Sequence, residues 1–353
     1  MSAAGLAAPG RVVRFGEAVS LRIRTRSVVV GLILTVLMLG LSIYSIGTGE
    51  FQISPGTVIS ALLGNADGGS EFIVRELRLP RVLCAILVGL ALGLSGAVFQ
   101  SLTRNPLGSP DIVGFPQGAT VGALIVITIM AGAGLAVTLG ALLGGAITAF
   151  AVYVLAFKRG GTSGFRIVLI GIAISYLMIS ITDYLLARAR IEEAQEATRW
   201  LLGSLNGRTW DDVTPLVISL VVLAPLAIPA GRALRALELG DDAAHALGMR
   251  VERSRLALVA LAVGLVSVTT VAVGPIGFIA LTAPQIARRI TRTAGLPLVC
   301  SALLGAVLLL VSDLAAQRLV PDRALPVGVM TGLFGGLYLA WLLSMEWRKG
   351  RRG

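Results

Sequence analysis

Nine apolar stretches of membrane-spanning length constrain the fold of this chain more than any other feature. Roughly 20 consecutive apolar residues cross a bilayer core as a helix. A tenth, shorter stretch at 276–290 is interrupted at Gly277 and Pro284, and we count it as a short helix. The nine longer stretches lie at about 28–47, 81–101, 112–131, 135–157, 166–187, 213–231, 256–274, 297–316 and 326–344. The pattern predicts an all-α polytopic protein of about ten transmembrane helices, without a separate soluble domain.

The composition agrees with this prediction. Of 353 residues, 56% are hydrophobic and only 14% are charged, whereas about one quarter of a soluble domain is charged. The 43 glycines indicate helices that approach one another through small residues. The net charge of +11 could indicate a nucleic-acid partner, but the basic residues flank apolar spans. The bilayer is therefore the expected partner, and nucleic acid is not.

The distribution of basic residues predicts the topology. With an internal N-terminus, ten spans place 21 of the 30 lysines and arginines in cytoplasmic segments, as the positive-inside rule requires. We expect a protein of the cytoplasmic (inner) membrane with both termini in the cytoplasm. Residues 1–27 form a basic tail, 28–345 the transmembrane domain and 346–353 a second basic tail.

A polar break follows the second span at Asn105-Pro106. Lipid cannot satisfy a bare backbone, so a break between two apolar spans has to line protein or water. Short, interrupted helices of this kind are typical of a membrane pathway.

The cytoplasmic segment 232–255 contains a short helix with its own caps. Asp241 or Asp242 is the expected N-cap, 243–247 the helix, and Gly248 the C′ glycine. We interpret it as a docking helix for a soluble partner; the alternative is a mere connector. His245 is the only histidine, and since one histidine makes no metal site, it is assigned to the docking surface.

Together, these motifs resemble the FecCD/vitamin-B12-type ABC transporter permeases over about residues 30 to 345. In chain order, the residues that carry the resemblance are Arg78-Leu79-Pro80-Arg81, Ser95-Gly96, Gln100, Asn105-Pro106-Leu107, Ser109-Pro110-Asp111, Gly114, Gly118-Ala119, 200–205, 239–248, 274–278, Ala283-Pro284 and 325–332. Two departures from the common pattern are Gln285, where the family usually has histidine, and Ala324, where an acidic residue is frequent. With 335–339, these resemble the second permease subunit of ferric enterobactin-type importers.

The resemblance implies a type II importer permease that carries ferric siderophore inward. Its implied partners are a second permease, expected to be a paralogue, an extracytoplasmic siderophore-binding protein and two cytoplasmic ATPase subunits. ATP and Mg²⁺ would be bound by those ATPases, and no cofactor by this chain. The short cytoplasmic helix would be the coupling helix that seats in the ATPase. The expected coupling residues are Leu239, Gly240, Asp241, Asp242, Ala243, His245, Leu247, Gly248 and Arg250.

The resemblance also implies two other sets of site residues. Arg78, Arg81 and Arg323 lie at outer helix mouths and would meet acidic residues of the binding protein; the alternative is that they anchor the helices at the interface. Small polar residues would line the pathway, although serine and threonine in such helices often bond helix neighbours instead. The pathway candidates are Ser95, Gln100, Thr103, Asn105, Ser175, Ser180 and Thr182.

Other functions are less well supported by the sequence. Vitamin B12 or haem could be the cargo of the same architecture. An ion-coupled secondary transporter usually needs ionisable residues deep in the membrane, and here Asp111, Asp183 and Asp313 lie near span ends. The sequence has no phosphate-binding loop and no nucleophile with a base, so we expect no catalytic residues and no metal site.

Overall fold

A computed structural model describes residues 11–15, 19–49, 51–132, 134–158, 162–293, 295–319 and 325–350. It contains fourteen α-helices over these residues, and two of them continue into π-helical turns. The helices are α1 (Thr25–Gly47), α2 (Pro55–Leu62), α3 (Gly68–Phe72, π-helical over Ile73–Arg78), α4 (Leu79–Thr103), α5 (Phe115–Leu124, π-helical over Ile125–Ile129), α6 (Leu135–Ala156), α7 (Gly164–Arg188), α8 (Ile191–Leu201), α9 (Trp210–Glu238), α10 (Asp241–Ala246), α11 (Val251–Val273), α12 (Ile279–Thr291), α13 (Leu298–Arg318) and α14 (Val327–Gly350).

The predicted all-α membrane architecture is confirmed. Within the described residues, seven helices are long and apolar enough to cross a membrane, and Phe115–Ile129 and Val327–Leu342 are shorter apolar helices. The thirteen residues of α12 span only about 20 Å at 1.5 Å per residue. Counted with α12, the membrane segments agree with the approximate number of ten that the sequence predicts.

Two short strands precede the bundle in the basic N-terminal tail. β1 (Arg11–Phe15) pairs antiparallel with β2 (Val19–Ile23), with Arg11 opposite Ile23. β1 contains two valines and β2 a valine and an isoleucine, and β-branched residues fit a pleated surface. This hairpin was not expected from the sequence.

One end of the bundle carries α10, and we call it the α10 end. The chain that follows α12 returns to this end, where Gly295 faces the carboxylate of Glu238 at the close of α9. The start of α1 lies there too, since Arg26 Nε donates a hydrogen bond of 2.8 Å to the Ile290 carbonyl of α12.

The opposite end carries α8, and we call it the α8 end. The start of α14 lies there because the Gly328 amide donates a hydrogen bond of 3.2 Å to the Gly203 carbonyl, just after α8. Thus α14 runs toward the α10 end, where α1 begins.

Helix α4 is the centre of the bundle, and every residue from 91 to 103 is buried. It packs against α9, α11, α12 and α13. Glycines permit the closest approaches: a Cβ at Gly89 would lie 2.7 Å from the Ala306 amide nitrogen of α13, and a Cβ at Gly96 would lie 2.6 Å from the Ala280 carbonyl carbon of α12. Small residues thus bring neighbouring backbones into contact, as membrane helices require.

Two breaks interrupt the helices inside the bundle. The predicted break after α4 is confirmed: the Asn105 side-chain oxygen accepts a hydrogen bond of 2.9 Å from the Leu107 amide, and α5 begins only after Gly114. The second break separates α11 from α12 and contains Gly274 and Phe278, both with positive φ (78° and 70°).

Candidate functional site

The short helix α10 stands between α9 and α11 and ends as the sequence predicts. The amide of Gly248 donates to the His245 carbonyl (2.8 Å) and the amide of Met249 to the Ala244 carbonyl (3.1 Å). This pair of bonds is the Schellman arrangement, and it needs a residue with positive φ. Gly248 supplies it, with φ of 78°.

The predicted start of α10 is wrong. The helix begins at Asp241, and its N-cap residue is Gly240, with φ of 110° and no side-chain cap. The Asp241 carboxylate does not cap the helix because it points to Arg255, whose Nη2 donates bonds of 2.9 and 3.0 Å to its two oxygens. The carboxylate therefore binds the Arg255 guanidinium and not the backbone amides of the first turn of α10.

Arg255 connects α10 to two other parts of the α10 end. Its side chain is only 2% exposed. Nη1 donates to Glu252 Oε1 at 2.8 Å, and to both the carbonyl and the hydroxyl oxygen of Thr162, which precedes α7. The two carboxylates balance the charge of the buried guanidinium, and the Thr162 oxygens accept further hydrogen bonds from it. A buried charge is tolerated when it is paired in this way.

Further bonds complete this cluster, which we call the Arg255 cluster (Arg255, Asp241, Glu252 and Thr162). Glu252 accepts two bonds of 3.0 Å from Thr162, one from its amide and one from its hydroxyl. Arg104, at the end of α4, contacts Asp241 at 3.4 Å, but both side chains are partly exposed. The Arg104–Asp241 pair contributes little to stability, because water screens the two charges.

The free surface of α10 is partly apolar. Leu239 and Leu247 are 70% and 68% exposed, although leucine is among the residues most often buried. The two leucines flank the helix and form a small exposed apolar pair, which is what the predicted docking role requires. Of the other predicted coupling residues, Asp242, His245, Gly248 and Arg250 are exposed, and Gly240, Asp241 and Ala243 are half-buried.

The arginines predicted to dock a binding protein have acceptors within this chain. Arg78 donates bonds of 2.7 Å to the carbonyls of Ile46 and Phe51. Arg81 pairs with Asp313 of α13 at 2.8 Å, and the Asp313 side chain is 1% exposed. Both arginines thus hold the α8 end together, a contribution that the docking interpretation did not include.

Arg323 lies outside the described residues. The docking role of all three arginines stays a prediction.

The pathway candidates on α4 bond to helices of this chain. Ser95 donates to the Ala262 carbonyl of α11 (2.7 Å) and Gln100 to the Leu281 carbonyl of α12 (2.9 Å). Thr103 donates to a carbonyl of its own helix at 2.8 Å. Ser95 and Gln100 therefore fix contacts between helices, whereas Thr103 bonds only within α4.

The candidates on α7 have different surroundings. Ser180 is exposed and donates to the Tyr176 carbonyl at 3.0 Å. Ser175 is buried and faces Gly114 at the break before α5. Thr182 lines a cavity of about 130 Å³ together with Gln117 and Thr120 of α5. The structure thus brings Thr182, but not Ser180, toward an internal space.

Gln285, which the sequence analysis singled out, lies on α12 and bonds to the end of α4 and to the break that follows it. Its amide nitrogen donates to the side-chain oxygen of Gln100 and to the Pro106 carbonyl (3.2 Å). Gln285 and Gln100 are 4% and 2% exposed. Unpaired buried amides are costly, so this pair fixes α12 against the end of α4. Sequence reasoning singled out Gln285 but did not find its partner.

Comparison with known proteins assigns the family. The sequence profile of the FecCD transport family matches residues 34–345. The chain belongs to the FecCD transport family. It is 46% identical over 310 residues to the ferric enterobactin transport system permease protein FepG of Escherichia coli K12, covering 87% of this chain and 93% of the relative.

Two other similarities extend this assignment. The chain is 38% identical over 320 residues to the Fe(3+)-citrate import system permease protein YfmE of Bacillus subtilis 168, covering 90% of this chain and 95% of the relative. A solved structure of a metal-chelate type ABC transporter in an inward-facing conformation has a TM-score of 0.81 and 26% identity, covering 90% of this chain and 99% of the other. The fold is therefore that of an ABC importer permease.

Proposed function

We propose that this chain is the transmembrane permease subunit of an ATP-driven ABC importer that moves ferric siderophore across the cytoplasmic membrane. The observation that carries the proposal is the 46% identity to a ferric enterobactin permease over 87% of the chain. The cargo is siderophore-bound iron, and vitamin B12 and haem are the alternatives that the experiment below tests.

The α10 end faces the cytoplasm in this proposal. The arginines of α12 and of the α9–α11 connection lie there, as the positive-inside rule favours. The start of α1 and the run of α14 toward the same end then support cytoplasmic positions for both termini.

The complete importer contains further chains. The proposed partners are a second permease, which the subgroup resemblance favours as a paralogue, a siderophore-binding protein at the α8 end and two cytoplasmic ATPase subunits. ATP and Mg²⁺ are bound and used by the ATPases, so this chain contributes translocation and no hydrolysis.

The α10 surface is the proposed contact with an ATPase subunit. Leu239 and Leu247 enter an apolar cleft of the ATPase, and His245 lies between them on the exposed face. The Arg255 cluster then transmits the movement of α10, because one buried guanidinium holds α10, the first turn of α11 and the segment before α7. Such a connected, rigid element is the physical requirement for coupling between distant sites.

Uptake of radioactive iron tests the cargo. Cells with and without this gene are grown under iron limitation and supplied with ⁵⁵Fe as catecholate, hydroxamate or citrate complexes, with labelled vitamin B12 and haem in parallel. We expect loss of uptake for one siderophore class, restored by the wild-type gene, with vitamin B12 and haem uptake unchanged.

Other outcomes overturn parts of the proposal. Lost vitamin B12 or haem uptake with intact iron uptake would replace the cargo and keep the architecture. Uptake that persists when cellular ATP is depleted but stops when the proton gradient is dissipated would replace the ABC mechanism by ion coupling.

A further inference from the structure

A narrow crevice lies between α12, α13 and α14, beginning at Ile279 just after the second break. Its volume is about 160 Å³, and its walls are mainly apolar side chains, among them Ile286, Val311 and Phe334. An apolar cavity of about 150 Å³ holds a benzene-sized molecule, so the crevice has room for about six carbons of an aliphatic chain.

The crevice leads toward the α10 end along one face of α12. Thr282 and Ile286 line it, and Arg289 follows them at the spacing i, i+4, i+7 that keeps residues on one face of a helix. The Arg289 guanidinium lies 5.6 Å from the ring centroid of Trp341 on α14. An arginine of α12 and a tryptophan of α14 thus meet on the α10 side of the crevice.

Two observations at and beside the crevice, made on the described part of the chain, indicate a missing polar partner. Arg288 and Arg289 are exposed, and neither forms an ion pair with a described carboxylate. The hydroxyl of Tyr338, which lines the crevice, is buried without a hydrogen-bond partner. Buried polar groups normally have one, which points to a ligand with an acceptor oxygen.

We propose that the crevice binds an anionic phospholipid, with one acyl chain between α12, α13 and α14 and the phosphate on Arg289 and Arg288. The ligand needs an apolar chain for the crevice, an acceptor for the Tyr338 hydroxyl and a negative charge for the arginines at the α10 end. An anionic phospholipid has all three. An ester carbonyl, between the chain and the phosphate, is the acceptor for Tyr338.

Charge complementarity decides between this occupant and a second permease chain. A protein helix that filled the crevice would bring apolar side chains but would leave two arginines to be neutralised separately. Basic pockets between transmembrane helices on the cytoplasmic side are suited to anionic headgroups. The lipid site does not depend on which cargo is transported.

Native mass spectrometry of the full chain tests the site. The protein is loaded with equal amounts of phosphatidylglycerol and phosphatidylcholine that carry the same acyl chains, and the retained lipid is counted as the detergent is removed. We expect one phosphatidylglycerol to be retained in preference to phosphatidylcholine. Arg289→Gln should weaken it about fivefold, which is what one basic side chain near a membrane surface contributes.

Two further variants sharpen the result. Arg253→Gln removes an exposed arginine of α11, a helix that contributes no residue to the crevice lining, and should leave the preference unchanged. Arg289→Lys keeps the charge and should retain most of the binding, which separates loss of charge from a folding defect. Equal retention of both lipids, or an Arg253→Gln effect as large as that of Arg289→Gln, would refute the site. Loss of the retained lipid when a second permease chain is present would show that protein fills the crevice.

Discussion

Replacing Arg255 by alanine tests the proposed connection between α10 and the membrane helices. The change removes a guanidinium that is 2% exposed and that bonds to Asp241, Glu252 and Thr162. Breaking a buried ion pair by removing one partner costs about 3 to 5 kcal/mol. The side chains of both carboxylates are 35% exposed and regain water, so we take the lower value, about 3 kcal/mol.

This free energy predicts a measurable change in local dynamics. About 1.4 kcal/mol corresponds to a tenfold change in an equilibrium constant, so attachment of α10 should weaken roughly a hundredfold. Hydrogen exchange reports local opening directly. In the Arg255→Ala protein, amides of 241–249 should exchange about 100 times faster, while those of the buried α4 segment 91–103 should not change.

Two matched variants separate the ion cluster from general damage. Arg253→Ala removes an exposed arginine of the same helix and should leave the exchange of 241–249 unchanged. Arg255→Lys keeps the charge but loses the planar fork, so an intermediate rate is expected. Wild-type exchange in Arg255→Ala, with the protein folded, would refute the reasoning. In the assembled importer, the same variant should lower the amount of iron transported per ATP hydrolysed.

Two other predictions concern the helix contacts. Gly96→Leu should destabilise the protein by at least about 3 kcal/mol, because its Cβ would meet the Ala280 backbone and overpacking costs about 1 to 3 kcal/mol even where side chains can move. Gly40→Leu is the control, since a Cβ at Gly40 meets open space. Equal unfolding temperatures of the two variants would contradict the packing. Asp313→Asn should lower the unfolding temperature because it removes the charge that pairs with Arg81. A double-mutant cycle with Arg81→Gln should return a coupling above about 1 kcal/mol, and additive effects would contradict the pair.

The membrane helices could be predicted from the sequence because their cause is local. A run of about 20 apolar residues leaves the backbone no alternative to a helix in lipid, and α7 was predicted at 166–187 and lies at Gly164–Arg188. The break at Asn105-Pro106 was predictable for the same reason, since proline and an Asx turn act on neighbouring residues. The N-terminal hairpin was missed because it lies outside the apolar runs.

The partners within the Arg255 cluster could not be predicted. Arg255 and Thr162 are 93 residues apart in the chain, and Gln285 and Gln100 are 185 apart. The sequence indicated that each group is polar beside an apolar span, but its partner depends on how whole helices pack. The start of α10 was misplaced for this reason, because the capping rule considered only the nearest amides and Asp241 had a buried arginine within reach.

The positions of the ion pairs suggest how a movement at α10 would spread. Arg255 fixes α10 to α11 at one end of the bundle, and Arg81 fixes α4 to α13 at the other. Between them, contacts through glycine backbone join α4 to α12 and α13, and close-packed interiors transmit strain. A displacement of α10 should therefore tilt α11 and α4 together and move the breaks, where helices are already interrupted. Distances between labels on α10 and α12, measured with and without nucleotide in the assembled importer, would change if the helices tilt and stay constant if α10 moves alone.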